Sequence, residues 1–201
     1  MQSLSEIDTI SKRASKAAGF SWGVAEEIGK AIRGLELFGL PGIKNLNLYL
    51  NKIEKKHPEK VKKIGKENKH KELCPIYSGV AFLDQCQKLE ILKGIKFYNV
   101  NYPILMLPFI SKASEILGTK ILIQFNKSSF LMNFNKSILL KNLEKQVITS
   151  VDEISIEFVE NKNLFSSFEW KELYKLSEKT FVEETDSLKT KGAGAGLTDN
   201  D

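Results

Sequence analysis

Apolar residues recur at helical spacing through roughly the first fifty positions of the chain. Leu4, Ile7, Ile10, Ala14 and Ala17 share one face of a 3.6-residue period, behind a capping box of Ser3 and Glu6, and Gly19 stops that helix. Ser21 can cap a second helix, with Trp22, Ala25, Ile28, Ile32 and Leu35 as its apolar face. Gly39 and the Leu40-Pro41-Gly42 turn end it. A third helix is expected over residues 43–53, with Leu46, Tyr49, Leu50 and Ile53 inward.

The pattern changes after Leu73. Residues 76–83, 96–100, 120–125, 130–134 and 153–159 are short runs rich in β-branched and aromatic side chains, separated by turn residues, and read as strands. The pair flanking Asn126-Lys127-Ser128 reads as a hairpin. Residues 109–117 read as a helix closed by Gly118, and Ser166 with Glu169 starts a last helix offering Phe168, Leu173, Leu176 and Phe181 for packing. Helices followed by mostly antiparallel strands imply an α+β domain: an N-terminal layer of three helices on the sheet, a C-terminal helix and a glycine-rich tail. The organisation expected is one domain: a helical part (1–56), a lysine-rich loop or insertion (57–72), a mainly stranded part with two helices (73–182) and a tail (183–201).

Charge sharpens this division. Residues 52–72 hold nine lysines and four glutamates, which accounts for the whole net charge of +5. Such a stretch has too few apolar residues to fold alone and is expected to be solvated. Arg13 and Arg33 are the sole arginines among 30 basic residues. Base and phosphate readout favours the guanidinium fork, so nucleic acid is not the expected partner. The polar start Met1-Gln2-Ser3-Leu4-Ser5-Glu6 has no apolar run behind it, and no stretch reaches the roughly 18 apolar residues of a membrane helix. A cytoplasmic location is expected, with no membrane partner. Cys74 and Cys86 form no Cys-x-x-Cys pair and read as small buried hydrophobes, Cys74 being the better functional candidate because Pro75 fixes the backbone beside it.

Several chemistries are excluded on residue supply. His57 and His70 are the two histidines, both in the lysine-rich stretch. Histidine-based triads need an imidazole held in a packed cleft, and zinc sites need several Cys or His ligands. No nucleotide, haem or zinc motif is present. Gly192-Ala193-Gly194-Ala195-Gly196 is not a phosphate loop, because no helix can follow within the five remaining residues.

What remains is the tail and the second helix. Gly192, Gly194 and Gly196 permit positive φ and a nest of backbone N–H groups, and Thr198, Asp199, Asn200 and Asp201 supply oxygen atoms suited to Mg²⁺ or Ca²⁺. The plainer alternative is a frayed terminus. On the second helix Glu26, Lys30 and Arg33 share a face, with Glu26 and Lys30 spaced as an ion pair, and Gly29 and Gly34 suggest close approach of another helix or a ligand. Trp22 beside Gly23 lines either a pocket or the core.

Ser21-Trp22-Gly23-Val24-Ala25-Glu26-Glu27-Ile28-Gly29-Lys30-Ala31, Leu73-Cys74-Pro75 and the Gly-Ala-Gly-Ala-Gly-Leu-Thr-Asp-Asn-Asp ending resemble, across the chain, an uncharacterised bacterial domain-of-unknown-function family, number three-seven-two-six. The resemblance implies no reaction; it makes the tail a shared feature. Two functions are therefore expected to compete. In the first, a small-molecule (carboxylate or anion) binding protein or enzyme closes its tail over a cleft. Glu26, Glu27, Asp199 or Asp201 would be the base or ligand there, and Trp22, Arg33 and the tail would bind. In the second, a non-catalytic accessory protein docks its tail into a partner protein.

Overall fold

A computed structural model of the chain describes residues 2–54, 56–133, 137–141, 147–160 and 162–180. The described residues up to 160 form one compact unit and residues 162–180 a second. The first begins with α1 (Leu4–Ala17), α2 (Trp22–Leu37) and α3 (Gly42–Ile53). The predicted capping box is present: the Ser3 N–H donates to Glu6 Oε2 at 2.8 Å, and the Glu6 N–H donates to Ser3 Oγ at 3.2 Å.

The expected apolar stripe of α1 faces the core only at Ile7. Ile10 is 62% exposed and Leu4 39%, while Ser11 and Ser15 are buried. The correction has a steric reason. At Gly29 of α2 an added Cβ would lie 2.5 Å from Asp8 Oδ1 and 2.7 Å from the Asp8 carbonyl oxygen, so α1 crosses with its backbone almost on α2. Only small residues fit such a crossing, and Ser11 and Ser15 take the positions that bulkier apolar residues would overfill. In α2 and α3 the expected faces are buried, except Trp22, which is 59% exposed, and Leu50, which is half-buried.

The largest correction concerns residues 76–83, which form no strand. They belong to α4 (Pro75–Leu89). Residues 73–79 are buried without a break, so the run has no polar face to reveal a 3.6-residue period. The start signal lies one step earlier: Cys74 is the N-cap, its Sγ accepting the Tyr77 N–H at 3.3 Å, and Pro75 occupies the first turn, where its missing N–H costs nothing.

Six strands follow one order in space: β1 (Glu67–Asn68), β2 (Gly94–Asn101), β6 (Ser150–Val159), β3 (Lys120–Phe125), β4 (Ser128–Asn133) and β5 (Ser137–Lys141). All neighbours are antiparallel except β1 with β2. The β3–β4 hairpin turns at Asn126, with φ 50, as the sequence leads one to expect. Between β2 and β3 the chain makes a 3₁₀ turn (Pro103–Met106) and α5 (Leu107–Leu117). The alternating residues Ile95, Phe97, Ile121, Ile123, Phe130, Met132, Ile154 and Ile156 point to one face and share a core with the helices. The architecture is α+β.

The lysine-rich stretch packs in part. Ile64 is buried, and Asn68 donates to the carbonyls of Gly65 and Lys96, both at 3.0 Å, fastening β1 to the sheet edge. The second unit carries α6 (Ser167–Ser177) with its own capping box, Ser166 and Glu169.

Candidate functional site

The α2 candidates do not converge on one cleft. Arg33 turns to α1, its Nη1 3.4 Å from Asp8 Oδ2. Trp22 lies under the ammonium of Lys16, 5.5 Å from the ring centroid. Glu26 is exposed, and the pairing expected between Glu26 and Lys30 is made by Glu27 instead. Glu27 takes Lys30 on one oxygen and Lys112 of α5 on the other, each at 2.9 Å. Gly192, Gly194, Gly196, Thr198, Asp199, Asn200, Asp201 and Phe181 lie outside the described residues. Among those described, no group of three or more His, Cys, Asp or Glu is placed to hold a metal ion, and no helix is long and apolar enough to cross a membrane.

Burial disfavours the Glu27 carboxylate, but hydrogen bonds and charge from Lys112 and Lys30 outweigh it and hold its pKa below the ordinary value. The lowered folded-state pKa means that this stabilisation is complete above about pH 4.5 and is lost as pH falls through the Glu27 pKa. Glu27→Gln should cost about 1 kcal/mol at neutral pH. It should also flatten the acid limb of stability against pH, measured by urea unfolding from neutral pH downward. An acid limb as steep as that of the wild type would show that the bridge is energetically silent.

Cys74 is unsuited to nucleophilic work. A helix N-terminus ordinarily favours a thiolate, but here burial pushes the thiol up to about 11, so it stays protonated at neutral pH. Burial also raises the neighbouring Tyr49 hydroxyl, which meets no hydrogen-bond partner of good geometry among the described residues. Cys86 is likewise a free, buried thiol. His57 is more constrained than a solvated histidine: Nε2 lies 3.1 Å from Tyr77 Oη, and the ring meets Phe20 edge-on at 5.1 Å, beneath Gly19 with φ +99.

A polar cleft of about 390 Å³ opens where β2 ends and β6 begins, and Lys52, Lys71, Asn101, Tyr102, Ser150 and Asp152 are among the residues lining it. Lys52 reaches in from the last turn of α3. Its ammonium donates to buried Asn101 Oδ1 at 2.7 Å and to Glu72 at 3.3 Å. Among the described residues the Asn101 amide nitrogen meets no hydrogen-bond partner.

The backbone around this cleft is unusual. Asn99 (φ 55) and Tyr102 (φ 44, ψ 60) are left-handed within four residues. Asparagine tolerates that region, whereas a bulky residue there is a true outlier costing on the order of 1–3 kcal/mol. The surroundings enforce it. The Tyr102 N–H donates to the Thr149 carbonyl at 3.1 Å, the Asn101 N–H to the Leu73 carbonyl at 3.2 Å, and Asn99 Nδ2 to the His70 carbonyl at 2.9 Å. The sequence clue to the cleft is Asn99-Val100-Asn101-Tyr102-Pro103, where amides interrupt a β-pattern just before a proline.

Residues 2–74 match the model of a family described as "Protein of unknown function (DUF3726)". The match includes the Trp22–Ala31 segment and Leu73-Cys74 and stops before the tail. No curated protein and no solved structure matches the chain.

Proposed function

We propose that this chain is a cytoplasmic small-molecule binding protein that takes a small carboxylate or similar anion in the cleft at the end of β2. The left-handed backbone at Tyr102 carries this reading, because strain of that kind persists where it positions groups for a ligand. Lys52 supplies the charge. Asn101 orients it by accepting a hydrogen bond from its ammonium, and its own amide nitrogen is available as a neutral donor. Ser150, the cross-strand neighbour of Asn101, and Asp152 also line the cleft and suit hydroxyl or amine groups of the same ligand. Two free, buried thiols support a reducing compartment.

Titration with succinate and with inorganic phosphate, followed through the Asn101 side-chain and Tyr102 backbone amide resonances, tests this. Saturable shifts at both residues are expected, weakened about tenfold or more in Lys52→Met, as befits loss of one charged hydrogen bond. Shifts that avoid the cleft, or an unaffected Lys52→Met, refute the assignment. The tail enters this reading through its chemistry alone, the amides of Gly192, Gly194 and Gly196 and the carboxylates of Asp199 and Asp201, and deleting residues 192–201 measures its share of binding.

One observation favours a second reading, that of an accessory protein docking its C-terminal unit into a partner protein. Phe168 (71%), Trp170 (55%) and Leu173 (61%) of α6 are exposed. On this reading Phe168→Ala combined with Trp170→Ala abolishes co-purification of a partner while the small anions bind unchanged.

A further inference from the structure

Four charged side chains line the cleft at the end of β2, two of each sign: Lys52, Lys71, Glu72 and Asp152. Their charges cancel, so the sum alone selects no anion, and the arrangement has to decide. Lys52 and Glu72 are spent on each other, 3.3 Å apart. Among the described residues, Lys71 and Asp152 make no ion pair, with each other or with a third group. One cation and one anion therefore line the same cavity without meeting.

The sheet register explains why they stay apart. Val100 of β2 is bridged by Leu73 on one side and pairs with Val151 of β6 on the other. Lys71 lies two residues before Leu73 and Asp152 one residue after Val151, so β2 runs between their backbones. Two strand spacings put those backbones roughly 10 Å apart. An α-amino acid with a charged hydrogen bond at each end spans roughly 8–9 Å, which side chains reaching in from both flanks can enclose. Asn101, buried beside them, adds an amide donor to the cationic side of the cleft.

We propose that the ligand of this cleft is a small polar α-amino acid, taken as its zwitterion; the inference rests on the carboxylate reading above and gives it a substrate class. The carboxylate takes Lys71, the remaining donor of Lys52 and the Asn101 amide nitrogen, while the ammonium takes Asp152. Thr149 and Ser150, also on the lining, offer hydroxyls to a polar side chain. Discrimination works by penalty as well as by attraction. An acid lacking the ammonium faces the Asp152 carboxylate unpaired, and an amine lacking the carboxylate faces the Lys71 ammonium unpaired.

L-serine is the probe, with L-glycerate (hydroxyl for ammonium) and L-serinamide (amide for carboxylate) as controls. Each is titrated into the full chain and followed through the Asn101 side-chain and Tyr102 backbone amide resonances. L-serine is expected to shift both saturably and to bind about tenfold tighter than either control, as befits one charged hydrogen bond gained. Asp152→Asn should weaken L-serine about tenfold and leave L-glycerate no weaker. Lys71→Gln should weaken L-serine and L-glycerate and spare L-serinamide. Both side chains are exposed, so these variants keep the fold. Binding of L-glycerate as tight as that of L-serine, or L-serine affinity unchanged in Asp152→Asn, overturns the zwitterion. If L-glycerate and succinate still shift Asn101 and Tyr102 saturably, the carboxylate reading stands without it. If no probe shifts either residue, both readings fall together.

Discussion

Truncating Phe82 to alanine is expected to remove about 3–5 kcal/mol of unfolding free energy, among the largest losses a single side chain of this protein can cause. Phe82 is wholly buried on α4, and its ring stacks on Phe158 of β6, centroids 6.0 Å apart and planes within 9°. Through that pair the helix is keyed to the strand lying between β2 and β3 in the sheet. Removing the ring forfeits the transfer free energy of an aromatic side chain and leaves a void whose walls belong to regular elements that relax only in part. The urea midpoint should fall with an unchanged m-value, and Tm should drop by roughly 6–20 °C at about 2–4 °C per kcal/mol for a chain of this size. A loss below about 1 kcal/mol would mean that α4 is not seated on β6 as described.

Gly29→Val is expected to cost about 2–3 kcal/mol through a different mechanism. The obstructing atoms include the Asp8 carbonyl oxygen at 2.7 Å, which belongs to a helix backbone and cannot rotate away. Relief requires α1 to lift from α2, which opens the Ser11–Ser15 interface and draws Asp8 from Arg33. Valine recovers little helix propensity over glycine, so almost the whole steric cost is visible. Amide exchange should accelerate across α1 well beyond its acceleration in α4. Five positions along the same helix, Gly34→Ala should move stability the opposite way. If both substitutions stabilise, α1 does not cross α2 at Gly29.

The contrast between these glycines marks how far residue pattern reaches. That both glycines are unusual is evident from the sequence. That one faces a helix and the other meets no neighbour within 4 Å is not, since the difference lies in residues contributed by α1. The cleft at the end of β2 was harder still. Lys52 stands in a charge run whose ordinary fate is solvation, and its destination, Asn101, is 49 positions away. Lys71 and Ser150 come from two further segments, and only closure of the sheet brings them together. Glu27, by contrast, was within reach of the sequence as a candidate but not as a bridge, because Lys112 is supplied by α5.

By itself the sequence determined what local chemistry can determine: the three opening helices with the Ser3–Glu6 box, the helix closed at Gly118, the alternation of β3, β4 and β6, and hence an α+β fold. These follow from caps, stops and side-chain period, which act over a few residues. The tertiary structure decided the rest. It made residues 76–83 helical, because a segment buried all round shows no period. It paired the two residues of β1 with β2, turned the serine face of α1 inward, and gathered Lys52, Asn101 and Tyr102 around one cleft. Each of those outcomes depends on which distant surface is available to bury against or bond to, and that is a property of the assembled core rather than of any stretch of chain.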